Sequence, residues 1–165
     1  MRTQNRKPGE FTYITPDPNL TLAKVNEFKT KLKKLKSAQP KAIQDVRQLA
    51  EGGDFSENAA YQIAKGRLRR LNNKIFKLEE HLKNSIIINP SSKSDQVQLG
   101  NRVTINLAGE IITYLILGSS EIDLEKNIIS HNSPIGSSLI GKKVGDNFTL
   151  RLDNKEKVGK IIKIG

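Results

Sequence analysis

Six residues fix most of what this chain can become. Ala64, Leu68, Leu71, Ile75, Leu78 and Leu82 follow steps of 4, 3, 4, 3 and 4, the seam of a coiled coil. A stripe of that length has to be covered, and a second one lies upstream. Val25, Phe28, Leu32 and Leu35 recur at three- and four-residue steps, and the series continues through Gln39 and Ala42 to Val46 and Leu49. Only the turn Gly52-Gly53 separates the two, so the simplest solution over residues 21–88 is an antiparallel helical hairpin in which each seam buries the other. Its second helix, from about Ser56 to Asn84, spans about 40 Å at about 1.5 Å per residue. Pro40 removes a helical donor and crowds the preceding turn, which leaves either one kinked helix or two helices meeting near Ser37 to Pro40. Gly66 weakens the second helix by about 1 kcal/mol relative to alanine.

On either side the pattern changes. Residues 1–20 contain Pro8, Gly9, Pro16 and Pro18 and read as an extended leader. The stretch from Asn89 to Ser94 is a linker, placed at 89–95, and beyond it come short β-branched runs: Val103 to Leu107, Ile111 to Leu117, Phe148 to Leu152 and Val158 to Ile164. These predict a small, mainly antiparallel sheet over residues 96–165, with a short helix within Ser137 to Lys142. The expected class is α+β, a helical hairpin followed by a separate β domain.

A chain of 165 residues with 36% apolar content can fill two lean cores of this kind. Cysteine is absent, which excludes disulfides, thiolate metal sites and a thiol nucleophile, and His81 and His131 stand alone in sequence. No apolar run reaches the roughly 18 residues of a spanning helix, and Met1 to Leu20 lacks the hydrophobic centre of a signal peptide, so a cytoplasmic, membrane-free protein is expected. The formal charge is +11 and lies mostly in front: residues 1–96 hold 19 Lys and Arg against 10 Asp and Glu, residues 97–165 only 9 against 7. That excess points toward a polyanionic partner.

Against this background the turn between the helices stands out, because Gly53-Asp54-Phe55-Ser56-Glu57-Asn58 sets two carboxylates at the end of a basic rod. Asp54 and Glu57 have the spacing of a capping box, and acids in a first helical turn also suit the macrodipole. On the residues alone the cap is the weightier reading. A capping carboxylate keeps a second oxygen, however, and could help hold a divalent cation. Magnesium prefers six oxygens, so two carboxylates make sense as a metal site only if a partner supplies the rest. Along the second helix Arg67, Arg70, Lys74 and Lys77 form one row beside the seam, with Lys65 and Arg69 near the tip end. Each is individually a solvated flank whose stem covers the seam edge; together they would steer a nucleic acid. Tyr61 could stack on a base or pack within its own hairpin.

The stretch GGDFSENAAYQIAK resembles the tip motif of the bacterial Gre transcript-cleavage factors, GreA and GreB, whose usual form is close to GDLSENAEY followed by a basic, heptad-patterned helix. Far downstream, Ile128 to Asp146 is similar to the family's carboxy-terminal signature of the type ISxxSPIGxALxGKxxGD. The likeness runs over about residues 20–165, in the family's order of coiled-coil hairpin, linker and FKBP-like β domain. It implies a monomeric elongation factor whose globular domain docks at the rim of the secondary channel of RNA polymerase and whose hairpin enters that channel. There Asp54 and Glu57 would help the polymerase hold a Mg2+ ion and cleave backtracked RNA, so that the catalytic site belongs to the polymerase. Carried over by motif, Asn132, Ser133, Pro134 and Ile135 fall at the contact with the β′ coiled coil. Lys65, with Arg67, Arg69, Arg70 and Lys74 around it, falls in the patch that meets the RNA 3′ end, and Ser56, Asn58 and Tyr61 support the tip. Ala60 stands where the family usually has an acid, the leader is longer than typical, and the charge is more basic than in many members. Two alternatives remain at this stage: a non-catalytic regulator of the same channel, and a free-standing coiled-coil binder of RNA or DNA.

Overall fold

The computed structural model describes residues 16–51, 59–90, 94–152 and 155–165. Residues 52–58, with the expected tip carboxylates, lie outside them, as do most of the expected leader and part of the expected linker. A short strand β1 (Asn19–Thr21) leads into helix α1 (Leu22–Ala50); helix α2 (Ala59–Lys83) returns and ends in strand β2 (Ile86–Ile88). α1 and α2 pack as the antiparallel pair that the two stripes predict. Every residue of both seams, from Val25 to Leu49 and from Ala64 to Leu82, is buried or half-buried. Gln39, the polar member of the first seam, is satisfied across the interface by donating from Nε2 to Asn72 Oδ1 at 2.9 Å.

Pro40 sits within α1, and the helix runs through it as one element. The alternative of two helices is thereby corrected. Proline forfeits one backbone bond, but Leu35, Gln39, Ala42 and Val46 keep the seam in contact on both sides of it, and packing outweighs the local loss.

β1 and β2 pair in parallel, Asn19 opposite Ile86, and so tie the two helix bases together. The sequence reading assigned no strand to either and placed residues 16–20 in the leader. At three residues each they carry no detectable alternation, and their partners lie more than sixty residues apart.

The second part is a five-stranded sheet of β3 (Arg102–Leu107), β4 (Glu110–Leu117), β5 (Ile128–Ser130), β6 (Asn147–Leu152) and β7 (Lys155–Ile164), in the order β5-β4-β3-β7-β6. All neighbours are antiparallel except β4 and β5. Alternation drives Val103 and Ile105 inward, to meet Ile116, Ile129, Phe148, Leu150 and Ile161 in one core. Helix α3 (Pro134–Leu139) closes that core with the fully buried Leu139. It begins earlier than the predicted Ser137, because Ser133 caps it and Pro134 takes its first position, where a missing N–H costs nothing.

Candidate functional site

The described helices lead up to the tip and away from it. α1 ends with the amide of Glu51 donating to the Arg47 carbonyl at 3.2 Å, and α2 resumes at Ala59. Asp54, Ser56, Glu57 and Asn58 lie between, outside the described residues. Tyr61, in the first turn of α2, is half-buried, and the Lys65 ammonium stands 5.7 Å from its ring centroid. Arg67, Arg69, Arg70 and Lys74 are all exposed, and the guanidinium of Arg70 folds over Gly66. The ion pairs of the hairpin among the described residues are Lys24 with Glu27 and Lys36 with Glu79, both nearer the base than the tip. The tip-proximal half of α2 therefore presents cations that no described carboxylate neutralises. Among the described residues no three His, Asp or Glu side chains gather to hold a metal ion. As a donor set, Asp54 and Glu57 fit part of a magnesium shell and leave most of its six positions to others.

At the opposite end, four residues that sequence reasoning missed join the hairpin to the β domain. Glu121, in a 3-10 turn (Ser119–Glu121) after β4, accepts from the backbone N–H and the hydroxyl of Thr21, both at 2.6 Å. Thr21 is the N-cap of α1 and its hydroxyl also accepts from the Lys24 amide at 3.2 Å. α1 has no acid in its own first turn. The β domain supplies one, so that a carboxylate faces the positive end of the helix dipole from across the domain boundary. Asp17 does comparable work. Its Oδ2 accepts from the Ser119 amide at 2.6 Å and its Oδ1 from the amide and side chain of Asn19 at 3.0 and 2.9 Å. Partial burial pushes this carboxyl up, but the Ser119 and Asn19 hydrogen bonds outweigh that and hold it below its ordinary value.

Both histidines converge on the same residue. His81, buried and tilted against Phe28 at 5.3 Å between centroids, places Nε2 2.8 Å from the Asp17 carbonyl, which fixes Nε2 as the donor. His131 Nδ1 lies 3.4 Å from Asp17 Oδ2 and 3.4 Å from the Leu117 carbonyl. Gly118 lets the two backbones come this close, since a Cβ there would collide with the Asn19 carbonyl oxygen. No sequence signal announces these contacts, because Asp17 and Ser119 are 102 positions apart.

The segment from Asn132 to Ile135 grows out of the same network. The buried Ser130 places its hydroxyl 2.8 Å from that of Ser119 and accepts from the Asn132 amide at 3.0 Å. Asn132 Nδ2 reaches Ser119 Oγ at 3.4 Å. Ser133 Oγ donates to the Ser130 carbonyl at 2.7 Å and accepts from the Gly136 amide at 3.1 Å, capping α3. Gly136 is required by packing, because a Cβ would run into the Ser130 carbonyl oxygen. Asn132 and Pro134 are left exposed, with Ser133 and Ile135 half-buried beneath them. The structure thus brings these four together on one corner, held rigid by polar contacts and adjacent to the clasp.

A helical hairpin with a cationic shaft is thus clasped at its base to a small β domain that presents the corner from Asn132 to Ile135. Family models agree with both parts: residues 19–87 match "Transcription elongation factor, N-terminal" and residues 91–165 match "Transcription elongation factor, GreA/GreB, C-term". Transcription elongation factor GreA of Geobacillus kaustophilus is 37% identical over 142 residues, 84% of this chain and 90% of that protein. The factor of the same name from Thioalkalivibrio sulfidiphilus is 33% identical over 150 residues, 88% of this chain and 95% of its own. Among solved structures, GreA factor homolog 1 (Gfh1) of Thermus thermophilus aligns at 23% identity and a TM-score of 0.41, covering 88% of this chain and 97% of that one. The chain belongs to the GreA/GreB family of transcription elongation factors.

Proposed function

We propose that this protein binds RNA polymerase, directs its hairpin into the secondary channel and stimulates the polymerase's own cleavage of backtracked RNA, without being an enzyme alone. The single observation that carries this reading is the pairing of Asp54 and Glu57, in a family-type tip, with a hairpin shaft whose Arg67, Arg69, Arg70 and Lys74 are exposed and cationic. Such a shaft would be drawn into a cavity lined by acids and occupied by RNA. Asn132, Ser133, Pro134 and Ile135 are the proposed docking corner, and the clasp of Asp17 and Glu121 makes displacement of that corner a displacement of the hairpin base. Asp54 and Glu57 would hold a Mg2+ ion jointly with polymerase groups, the ion supplying a Lewis acid and an activated water at neutral pH. The chain's own contribution is to deliver negative charge to the RNA 3′ region, to neutralise the displaced phosphates with Lys65 and its neighbours, and to keep Tyr61 packed beneath the tip. The protein would act as a monomer in the cytoplasm.

The test is to add purified protein and magnesium to backtracked elongation complexes. Release of short 3′ RNA fragments supports cleavage stimulation. Slower synthesis with no fragment released would assign the protein to the channel-blocking alternative, and affinity for free RNA with none for polymerase would assign it to the free-standing binder.

A further inference from the structure

The β domain turns one face of its sheet away from its core. On β3, Val103, Ile105 and Leu107 point inward, so Arg102, Thr104 and Asn106 point outward. The ladder sets Leu115, Thr113 and Ile111 of β4 beside them on one side, and Lys163 and Lys160 of β7 on the other. Val158 and Ile162 flank Lys160 at two-residue spacing and share its side of β7. A bulge opposite Thr104 and Ile105 inserts one extra residue into β7, so that Ile162 and Lys163 both reach this face, as neighbours in a regular strand would not.

Two properties coincide there. Ile111 is 69% exposed, Val158 62% and Ile162 42%, with Leu115 half-buried beside them. Arg102, Lys160 and Lys163 are exposed as well, and no carboxylate among the described residues pairs with any of them. Of the acids on these strands, Glu110 sits opposite the inward Leu107, and Glu156 lies near the start of β7, beyond Val158. The middle strand carries the smaller side chains, and they are already satisfied. The hydroxyls of Thr104 and Thr113 share a hydrogen bond at 2.9 Å, and Asn106 Oδ1 accepts from the Gly109 amide at 3.0 Å. Strands about 4.8 Å apart leave about 10 Å between the apolar side chains of β4 and those of β7, the width of an α-helix.

An apolar patch interleaved with cations fits a protein surface of opposite charge. We infer that this face docks an acidic amphipathic helix of a partner protein, laid along β3. Its apolar stripe would lie between Ile111, Leu115, Val158 and Ile162, and its carboxylates would meet Arg102, Lys160 and Lys163. A nucleic acid fits less well. Bases need an aromatic platform, yet Tyr114 and Phe148 both occupy inward positions, and phosphates would leave the exposed aliphatic side chains in water. Residues 1–15 match the charge poorly too, with Arg2, Arg6 and Lys7 against Glu10. The face lies across the sheet from α3, whose Leu139 enters the core, and is distinct from the corner between Asn132 and Ile135.

The test needs no polymerase. Its probe is a fluorescein-labelled peptide of about 18 residues, five helical turns, with leucines at three- and four-residue steps and glutamates elsewhere. In NMR spectra of the intact, isotope-labelled protein, amide shifts on adding the unlabelled peptide should cluster from Arg102 to Asn106, Ile111 to Leu115 and Val158 to Lys163. By anisotropy, Ile111→Ser combined with Val158→Ser is expected to weaken binding roughly tenfold or more while leaving its salt dependence unchanged. Lys160→Gln combined with Lys163→Gln should weaken it and flatten the salt dependence. All four side chains are exposed, so melting temperatures should stay near that of the wild type. Shifts confined to α2, or equal affinity for a peptide of the same composition with its leucines scattered, would reduce the attraction to charge alone and overturn the inference. Larger shifts of the same strands with a DNA duplex would overturn it in favour of nucleic acid. Self-association in sedimentation equilibrium that the serine pair abolishes would overturn it in favour of a second copy of this chain. Fragment release from backtracked complexes judges the proposed function separately.

Discussion

The two ends of the hairpin use carboxylates differently. At the base, Asp17 and Glu121 are consumed: the Oδ2 and Oδ1 of one and both oxygens of the other accept hydrogen bonds from amides or side chains, and the Asp17 side chain is 4% exposed. Saturated and enclosed, they hold one part of the molecule to another. At the tip, Asp54 and Glu57 fall in the sequence between α1 and α2, outside the described residues, and are followed in sequence by a row of cations. In the proposed function these oxygens have to remain available, which is what separates a working acid from a fastening one. The contrast teaches that a carboxylate's role is set by how many of its lone pairs the protein itself engages, and charge-preserving or shape-preserving variants can measure that at each end.

The largest effect is expected at the tip. Replacing Asp54 and Glu57 together by alanine should lower fragment release from backtracked complexes by roughly 100-fold or more, with polymerase affinity kept, in a quantitative cleavage assay. A melting temperature lowered as far as by loss of the base carboxylates would erase the contrast. Next comes the base. Glu121→Ala leaves the buried Thr21 amide and the start of α1 without their acceptor, and should cost about 1–3 kcal/mol in chemical denaturation. Stability unchanged in that variant would show that the two domains do not lean on each other. A smaller loss, about 1 kcal/mol, is expected for Ser133→Ala, which removes the cap of α3. Combined with Pro134→Ala it should also weaken polymerase binding, read by competition with the wild type.

The smallest effect is a pH dependence. Because Asp17 is held below its ordinary value of 3.8, the clasp gains stability from the ionised carboxylate above that value and loses it as pH falls through the lower folded one. The stability gap between wild type and Asp17→Asn should therefore be flat from neutrality to about pH 5 and close below about pH 4. A gap that widens on acidification would reverse the sign and break the assignment.

The seams were legible because six or more apolar positions repeat a single period, and the β runs from Val103 to Leu107 and from Ile111 to Leu117 because their β-branched residues sit between turn signals. Pro40 misled in part, since a local propensity cannot report the tertiary packing that overrules it. What stayed hidden was non-local and polar: β1 and β2 are too short to show a pattern, and Asp17, Ser119, Glu121 and Ser130 become partners only through the fold. The corner from Asn132 to Ile135 was readable as a motif, but the reason for its Ser133 and the neighbouring Gly136, a cap and a close backbone approach at Ser130, came from the structure. The tip was read through its motif, as its spacing alone serves a capping box equally well.

One substitution separates those two roles most directly. Asparagine caps a helix about as well as aspartate but lacks the charge that a divalent cation requires. Asp54→Asn, added at equal polymerase occupancy to backtracked complexes, is predicted to keep the melting temperature of the wild type while fragment release collapses. Cleavage at the wild-type rate by Asp54→Asn would contradict the account and return Asp54 to the role of a cap.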